Sequence, residues 1–172
     1  MGKVIKLESA KMDDATRAKV KRYLDHELTW AEVEGMTAAQ AGQIARIGCD
    51  LASRGRLNDA RIIFEGLVAG NPKDTSAQAA LGTVYQKLSR NAEARECYDR
   101  AIEIFAQNVV ALGNRGELRL RAGDAGGIED LARAVQVDAA GISAAGRRAR
   151  ALLTAVAKAK ATRQSSSAAA AR

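Results

Sequence analysis

The chain has 172 residues, 47% hydrophobic and 27% charged, with only 3% aromatic residues and a single proline. That is the composition of a globular chain dominated by helix formers (Ala, Leu, Arg, Glu), and no apolar run approaches the roughly 20 residues that span a bilayer. The net charge of +7 is carried entirely by residues 139–172, which hold seven Arg or Lys and no acid, so residues 1–138 are neutral overall.

Residues 1–10 are short and polar, and they lack the apolar core of a signal peptide, so a cytoplasmic location is expected. Val20, Leu24 and Leu28 then recur at i, i+4 and i+8 with Tyr23 beside them. This spacing predicts an amphipathic helix over 13–27. Asp13 and Asp14 suit its N-terminus. Its apolar stripe either packs on the helices C-terminal to it or meets another chain. Thr29 to Glu32 and Thr37 to Gln40 both read as capping boxes. They predict a short helical turn over Trp30–Glu34 and a longer helix from about Ala38.

From there the chain repeats itself. Gly48, Gly82 and Gly116 are spaced by 34 residues; so are Leu51 and Tyr85, Gly55 with Ser89 and Gly123, Ala60 and Ala94, Phe64 and Tyr98. A 34-residue period with these residue types is the tetratricopeptide (TPR) pattern, one helix–turn–helix per repeat. Counted from 41, 75 and 109, the small residues at positions 8 and 20 let two helices approach, and the large ones at 11 and 24 fill the gap. Gly35 and Gly55 fit helix ends, Asp59 fits a first turn, Asp74 and Asn91 fit N-caps, and the second helix, starting near Leu57, stops before Pro72.

The third repeat departs from the pattern. Arg115 and Arg119 replace apolar residues, Ile128 the small residue and Ala132 the aromatic. Gly126 and Gly127 cost about 1 kcal/mol each if helical, so a looser third hairpin is expected. Ile142, Ala145, Ala149, Leu152, Leu153 and Val156 then form an apolar stripe opposite Arg147, Arg148 and Arg150. A stacked array leaves its last face open, so Ser143 to Lys158 reads as a capping helix. The expectation is an all-α TPR superhelix of three repeats: an N-terminal helical segment over 1–37, repeats over 38–138, a cap over 139–158 and a disordered basic tail over 159–172. Such a tail either solubilises the chain or attracts an acidic partner.

No catalytic constellation is present: no phosphate loop, no nucleophile with a base, no metal motif. Two cysteines (Cys49, Cys97) and one histidine (His26) make neither a disulfide framework nor a zinc site. A binding protein without metal or cofactor is expected, not an enzyme. In a TPR stack the first helix of each repeat lines a concave groove through positions 2, 5, 9, 12 and 13. These are Gly42, Ala45, Cys49, Ala52 and Ser53; Ser76, Ala79, Thr83, Gln86 and Lys87; and Val110, Gly113, Glu117, Leu120 and Arg121. The surface is small, weakly apolar and mostly uncharged. It suits an extended peptide with apolar side chains, its backbone held by Gln86 and Glu117. The alternative is that small residues only permit tight curvature. Ala45, Cys49, Gly113 and Glu117 stand where TPR proteins that clamp a terminal carboxylate carry Lys, Asn and further basic residues, which argues against that type of clamp.

The sequence resembles the class II chaperones of type III secretion, of the SycD/LcrH type. The resemblance covers roughly Leu28 to Leu153. It is carried by the run from Thr29 to Thr37 leading into Ile47-Gly48-x-x-Leu51, by Gly55 to Leu67, by Ala80 to Gln86 and by Gly116-Glu117-Leu118. It implies a bacterial cytoplasmic chaperone. Such a chaperone holds an extended segment of a hydrophobic translocator in its concave groove, largely through repeats one and two, and keeps the client soluble before secretion. It also implies a homodimer through the N-terminal helix, which fits the stripe Val20, Tyr23, Leu24 and Leu28. Ala45, Ala52 and Cys49 stand where the family carries larger, often aromatic, side chains. The other readings are a TPR scaffold assembling a protein complex and, through the basic tail, nucleic-acid binding. The latter is disfavoured because no aromatic is interleaved with the cations. Insertion into a membrane is not expected.

Overall fold

The computed structural model describes Ala18, Arg22, Thr29, Glu32 and residues 34–170. The stripe Val20, Tyr23, Leu24 and Leu28 lies outside the described residues, as does Trp30. Seven helices follow one another among those described. They are α1 (Ala38–Ser53), α2 (Leu57–Gly70), α3 (Thr75–Lys87), α4 (Asn91–Ile104), α5 (Val109–Arg121), α6 (Gly127–Val137) and α7 (Ala144–Ala170). Each packs on the next, α1 also touches α3, α3 touches α5, and α7 packs on both α5 and α6. This is the all-α TPR superhelix of three hairpins and a trailing helix.

Local chemistry sets most boundaries. Both capping boxes form: Thr29 with Glu32, and Thr37 with Gln40, whose backbone N–H reaches the Thr37 hydroxyl at 3.2 Å. Asp74 accepts from the N–H groups of Ser76 and Ala77 and starts α3. Asn91 is not the N-cap of α4; it is the first helical residue, and Arg90 stands at the cap. The reason is the turn before it. Ser89 takes the left-handed conformation (φ 62°) that Gly55 and Gly123 take in the other repeats, so the helix begins two residues later. Arg56 and Arg90, lacking a capping oxygen, instead pair with the first-turn acids Asp59 and Glu93 at 2.6 and 2.7 Å.

The hairpins close on glycine. A Cβ built on Gly48 would lie 2.9 Å from the Phe64 ring, and one on Gly82 would lie 2.6 Å from the Tyr98 ring. In the third hairpin the residue opposite Gly116 is Leu131, with Gly127 in place of Ala60 and Ala94. Ile128 and Ala132 are therefore not the packing residues, because the second helix has advanced by one residue after the turn. With Leu131 and Gly127 in those places the hairpin is closely packed, not loose: Leu112, Leu131 and Ala134 are fully buried. Arg115 and Arg119, which break the apolar pattern, converge on the buried carboxylate of Asp130 at 2.6 and 3.1 Å. Asp99 and Asp124 extend that network.

Past the third hairpin, Asp138 accepts from the N–H groups of Ile142 and Ser143 and from the Ser143 hydroxyl, which fixes the entry to α7. Ala149 is buried, with Leu152 and Leu153 packed beside it, but Ile142 precedes the helix and is 82% exposed. Nor does the helix stop near Lys158. It runs on to Ala170, through the stretch expected to be disordered. Alanine's high helix propensity, at seven of the residues from 155 to 170, outweighs the low complexity.

Candidate functional site

The concave face carries a trough between α1 and α3. Its first stretch, a cavity of about 390 Å³, runs past Met36, Ala41, Gly42 and Ala45 to Cys49 and Ser76. Its second, about 400 Å³, runs past Ala52, Ser53, Ala79, Thr83 and Lys87 to Val110. The two share Cys49, Phe64, Ser76 and Ala80, so they form one continuous feature. Small side chains on both helices leave the space, and the Phe64 ring, packed against Gly48, gives it an apolar floor.

Of the residues expected from sequence, Ala45, Cys49, Ala52, Ser76, Ala79, Thr83 and Val110 line this trough. They do not present equally. Cys49 and Ser76 are exposed, whereas Ala79 is 3% exposed and belongs to the core around Tyr98. The Thr83 hydroxyl donates to the Ala79 carbonyl at 2.9 Å and accepts from Asn114 Nδ2 at 3.0 Å, so its polarity is spent inside the fold.

Gln86 is turned away from the trough. Its Oε1 accepts from the Tyr98 hydroxyl at 2.8 Å, and its side chain lines a separate hollow with Asn91, Arg95 and Arg119. Burial pushes the Tyr98 phenol up to about 12, so the hydroxyl remains a donor. In the third repeat Gly113, Glu117 and Leu120 are not open groove either. A Cβ on Gly113 would meet the Ala145 carbonyl of α7 at 3.6 Å, and Leu120 packs in the cluster with Ala149, Leu152 and Leu153. Glu117 is buried beneath the guanidiniums of Arg121 and Arg148. The chain thus fills the third repeat's share of the concave face with its own last helix and leaves the first two repeats open.

Sequence reasoning missed Ala80, Asn108 and the reach of Phe64. Phe64 was legible only as the residue closing a hairpin. Asn108 joins two repeats: its Nδ2 donates to the Thr75 hydroxyl at 2.8 Å, and that hydroxyl donates to the Ala101 carbonyl at 3.0 Å. On the convex side Tyr85 donates to Glu65 at 2.7 Å and Arg90 stacks 4.6 Å from its ring. Nearby, burial and then the acids around it raise the Cys97 thiol to about 11, which leaves it inert.

No protein-family model matches the chain, and no curated protein matches it by sequence. Solved structures do. A type III secretion system complex from Aeromonas hydrophila superposes with a TM-score of 0.71 at 20% identity, over 83% of this chain and 97% of that one. The Yersinia enterocolitica type III secretion translocator chaperone SycD gives 0.67 at 18% identity, over 74% and 97%. Pseudomonas aeruginosa PcrH in complex with the chaperone binding region of PopD gives 0.64 at 25% identity, over 73% and 97%. No helix among the described residues is long and apolar enough to cross a membrane.

Proposed function

We propose that this chain is a bacterial cytoplasmic chaperone of type III secretion, a binding protein and not an enzyme. It holds an extended segment of a hydrophobic translocator-type client in the α1–α3 trough and keeps it soluble before export. The observation that carries the reading is the trough itself: open at repeats one and two, floored by Phe64 and walled by small side chains. An extended segment meets such a surface through alternate side chains, burying apolar groups that would otherwise drive aggregation. Support comes from the structural neighbours, since PcrH is solved with the chaperone binding region of PopD and SycD with a peptide of the translocator YopD. A homodimer belongs to the same reading, SycD having been solved in more than one dimer.

The test is co-expression with a translocator encoded beside it, a protein with long apolar stretches. The complex is expected to be soluble and to be lost in Cys49→Arg and Ser76→Arg. Both side chains are exposed at the middle of the trough, so neither change disturbs the core. A complex that survives both substitutions rejects the trough as the binding site. Capture of a complex component without apolar stretches supports the scaffold reading instead.

A further inference from the structure

The second stretch of the trough holds a single charge. Its walls are alanines, Val84, Val110 and small polar residues, and Lys87 is the one charged side chain that lines it. The neutral polar groups beside it are already engaged. Ser53 donates to the Asp50 carbonyl at 2.7 Å, Thr83 to the Ala79 carbonyl at 2.9 Å, and Asn108 Nδ2 to the Thr75 hydroxyl at 2.8 Å. Lys87 is exposed, and its ammonium has no ion pair or hydrogen-bond acceptor among the described residues. It is the last residue of α3, and Asp74 is the N-cap of the same helix, so the length of α3, about 20 Å, separates them along the wall. Asp74 and Glu32 line the first stretch, both engaged in capping, so the two charge signs stand at opposite edges of the trough.

We infer that the client segment carries a carboxylate side chain that pairs with Lys87, and that this pair sets the register of the segment in the trough. This rests on the trough being the client site and adds a charged anchor to its apolar contacts. A segment lying in the second stretch covers the stem of Lys87 and takes water from one side of its ammonium. No acid of the fold offsets that loss, whereas a carboxylate on the segment does. The ammonium stands at the rim and can turn to solvent when the segment is neutral, so the preference is modest. At the other edge Asp74 and Glu32 disfavour an acid, which leaves one favourable placement. A cation in the last turn of α3 also suits the helix dipole whatever is bound, and the experiment separates the two roles.

The test uses a random 12-residue peptide library displayed on phage and selected on the full chain. Binders lost in Cys49→Trp, which fills the middle of the trough without adding charge, are taken as trough-dependent. These are expected to carry Asp or Glu at one consistent spacing from their apolar residues. Replacing that acid by its amide in a synthetic peptide should weaken binding to the unaltered chain about three- to fivefold at low salt, and the difference should shrink at high salt. Lys87→Gln should bind the acid and amide peptides equally, and Lys87→Glu should prefer the amide. If Lys87 served only the end of α3, Lys87→Gln would lower the melting temperature and leave the preference for the acid in place. That result, or trough-dependent peptides with no acidic preference, or an amide that binds the unaltered chain as well as the acid, overturns the inference and leaves the trough reading standing. Failure to select any trough-dependent peptide overturns both.

Discussion

Gly116 and Leu131 stand face to face in the third hairpin, so close that a Cβ on the glycine would lie 2.9 Å from Leu131 Cγ. Fifteen residues separate them, where sixteen separate Gly48 from Phe64 and Gly82 from Tyr98. One residue less turns Gly127 into the point of closest approach. A methyl there would meet Leu120 Cγ at 2.8 Å and the Leu120 backbone nitrogen at 2.9 Å. Gly127→Ala should therefore destabilise the chain by about 2 kcal/mol. Gly66→Ala, in the interior of α2 with nothing within 4 Å, should stabilise it by about 0.5–1 kcal/mol. Urea denaturation followed by circular dichroism separates the two. Equal effects would mean that the third hairpin keeps the register of the others.

The Asp130 carboxylate holds two arginines with its side chain only 4% exposed. Removing it leaves Arg115 and Arg119, both largely covered, without their shared counter-charge. Asp130→Ala is expected to cost about 2–4 kcal/mol. Arg100→Ala, which breaks an exposed pair with Glu103, should change stability by less than about 0.5 kcal/mol. Thermal melts of the two variants provide the comparison.

Acid should weaken the fold in one window. The Tyr85 hydroxyl holds the Glu65 carboxyl below its usual range, the Arg119 guanidinium does so for Asp124, and the Ser143 hydroxyl for Asp138. A carboxyl depressed in the folded chain contributes stability that is present above its unfolded value, about 4, and is lost as pH falls through the folded value. The melting temperature should be nearly flat from neutral pH to about 5 and should drop below about 4. Asp138→Asn should make that drop shallower. A slope centred near neutrality would contradict the assignment.

The two halves of α7 should behave differently. Residues 157–162 are exposed throughout, while Ala149 is 1% exposed between α5 and α6. Truncation after Val156 should leave the unfolding free energy within about 0.5 kcal/mol of the full chain. Ala149→Asp, which buries an unpaired charge, should cost several kcal/mol. If the short truncation destabilised the chain as much, the outer half of the helix would have a partner of its own.

The 34-residue spacing made the first two hairpins legible to within a residue or two, because Gly48 with Phe64 and Gly82 with Tyr98 repeat both the type and the separation of the packing pair. The third was misread because periodic counting assumes a constant turn, and a single missing residue moves the packing role from Ala132 to Leu131. The trough of repeats one and two was legible for the same reason that the hairpins were. That α7 covers Gly113, Glu117 and Leu120 was not, because a helix two elements downstream carries no local mark of where it docks. Glu117 illustrates this: from its position it reads as a polar group offered to a client, and only the approach of Arg148 from α7 shows that its carboxylate is covered.

Hydrogen bonds tie α3 to α5 at two points, from Asn108 to Thr75 where both helices begin and from Asn114 to Thr83 within them, whereas none joins α1 to α3 among the described residues. Directional bonds resist sliding, and apolar contact does not. The second and third hairpins are therefore the more rigidly joined pair, and the α1 side of the trough is the side expected to give way first.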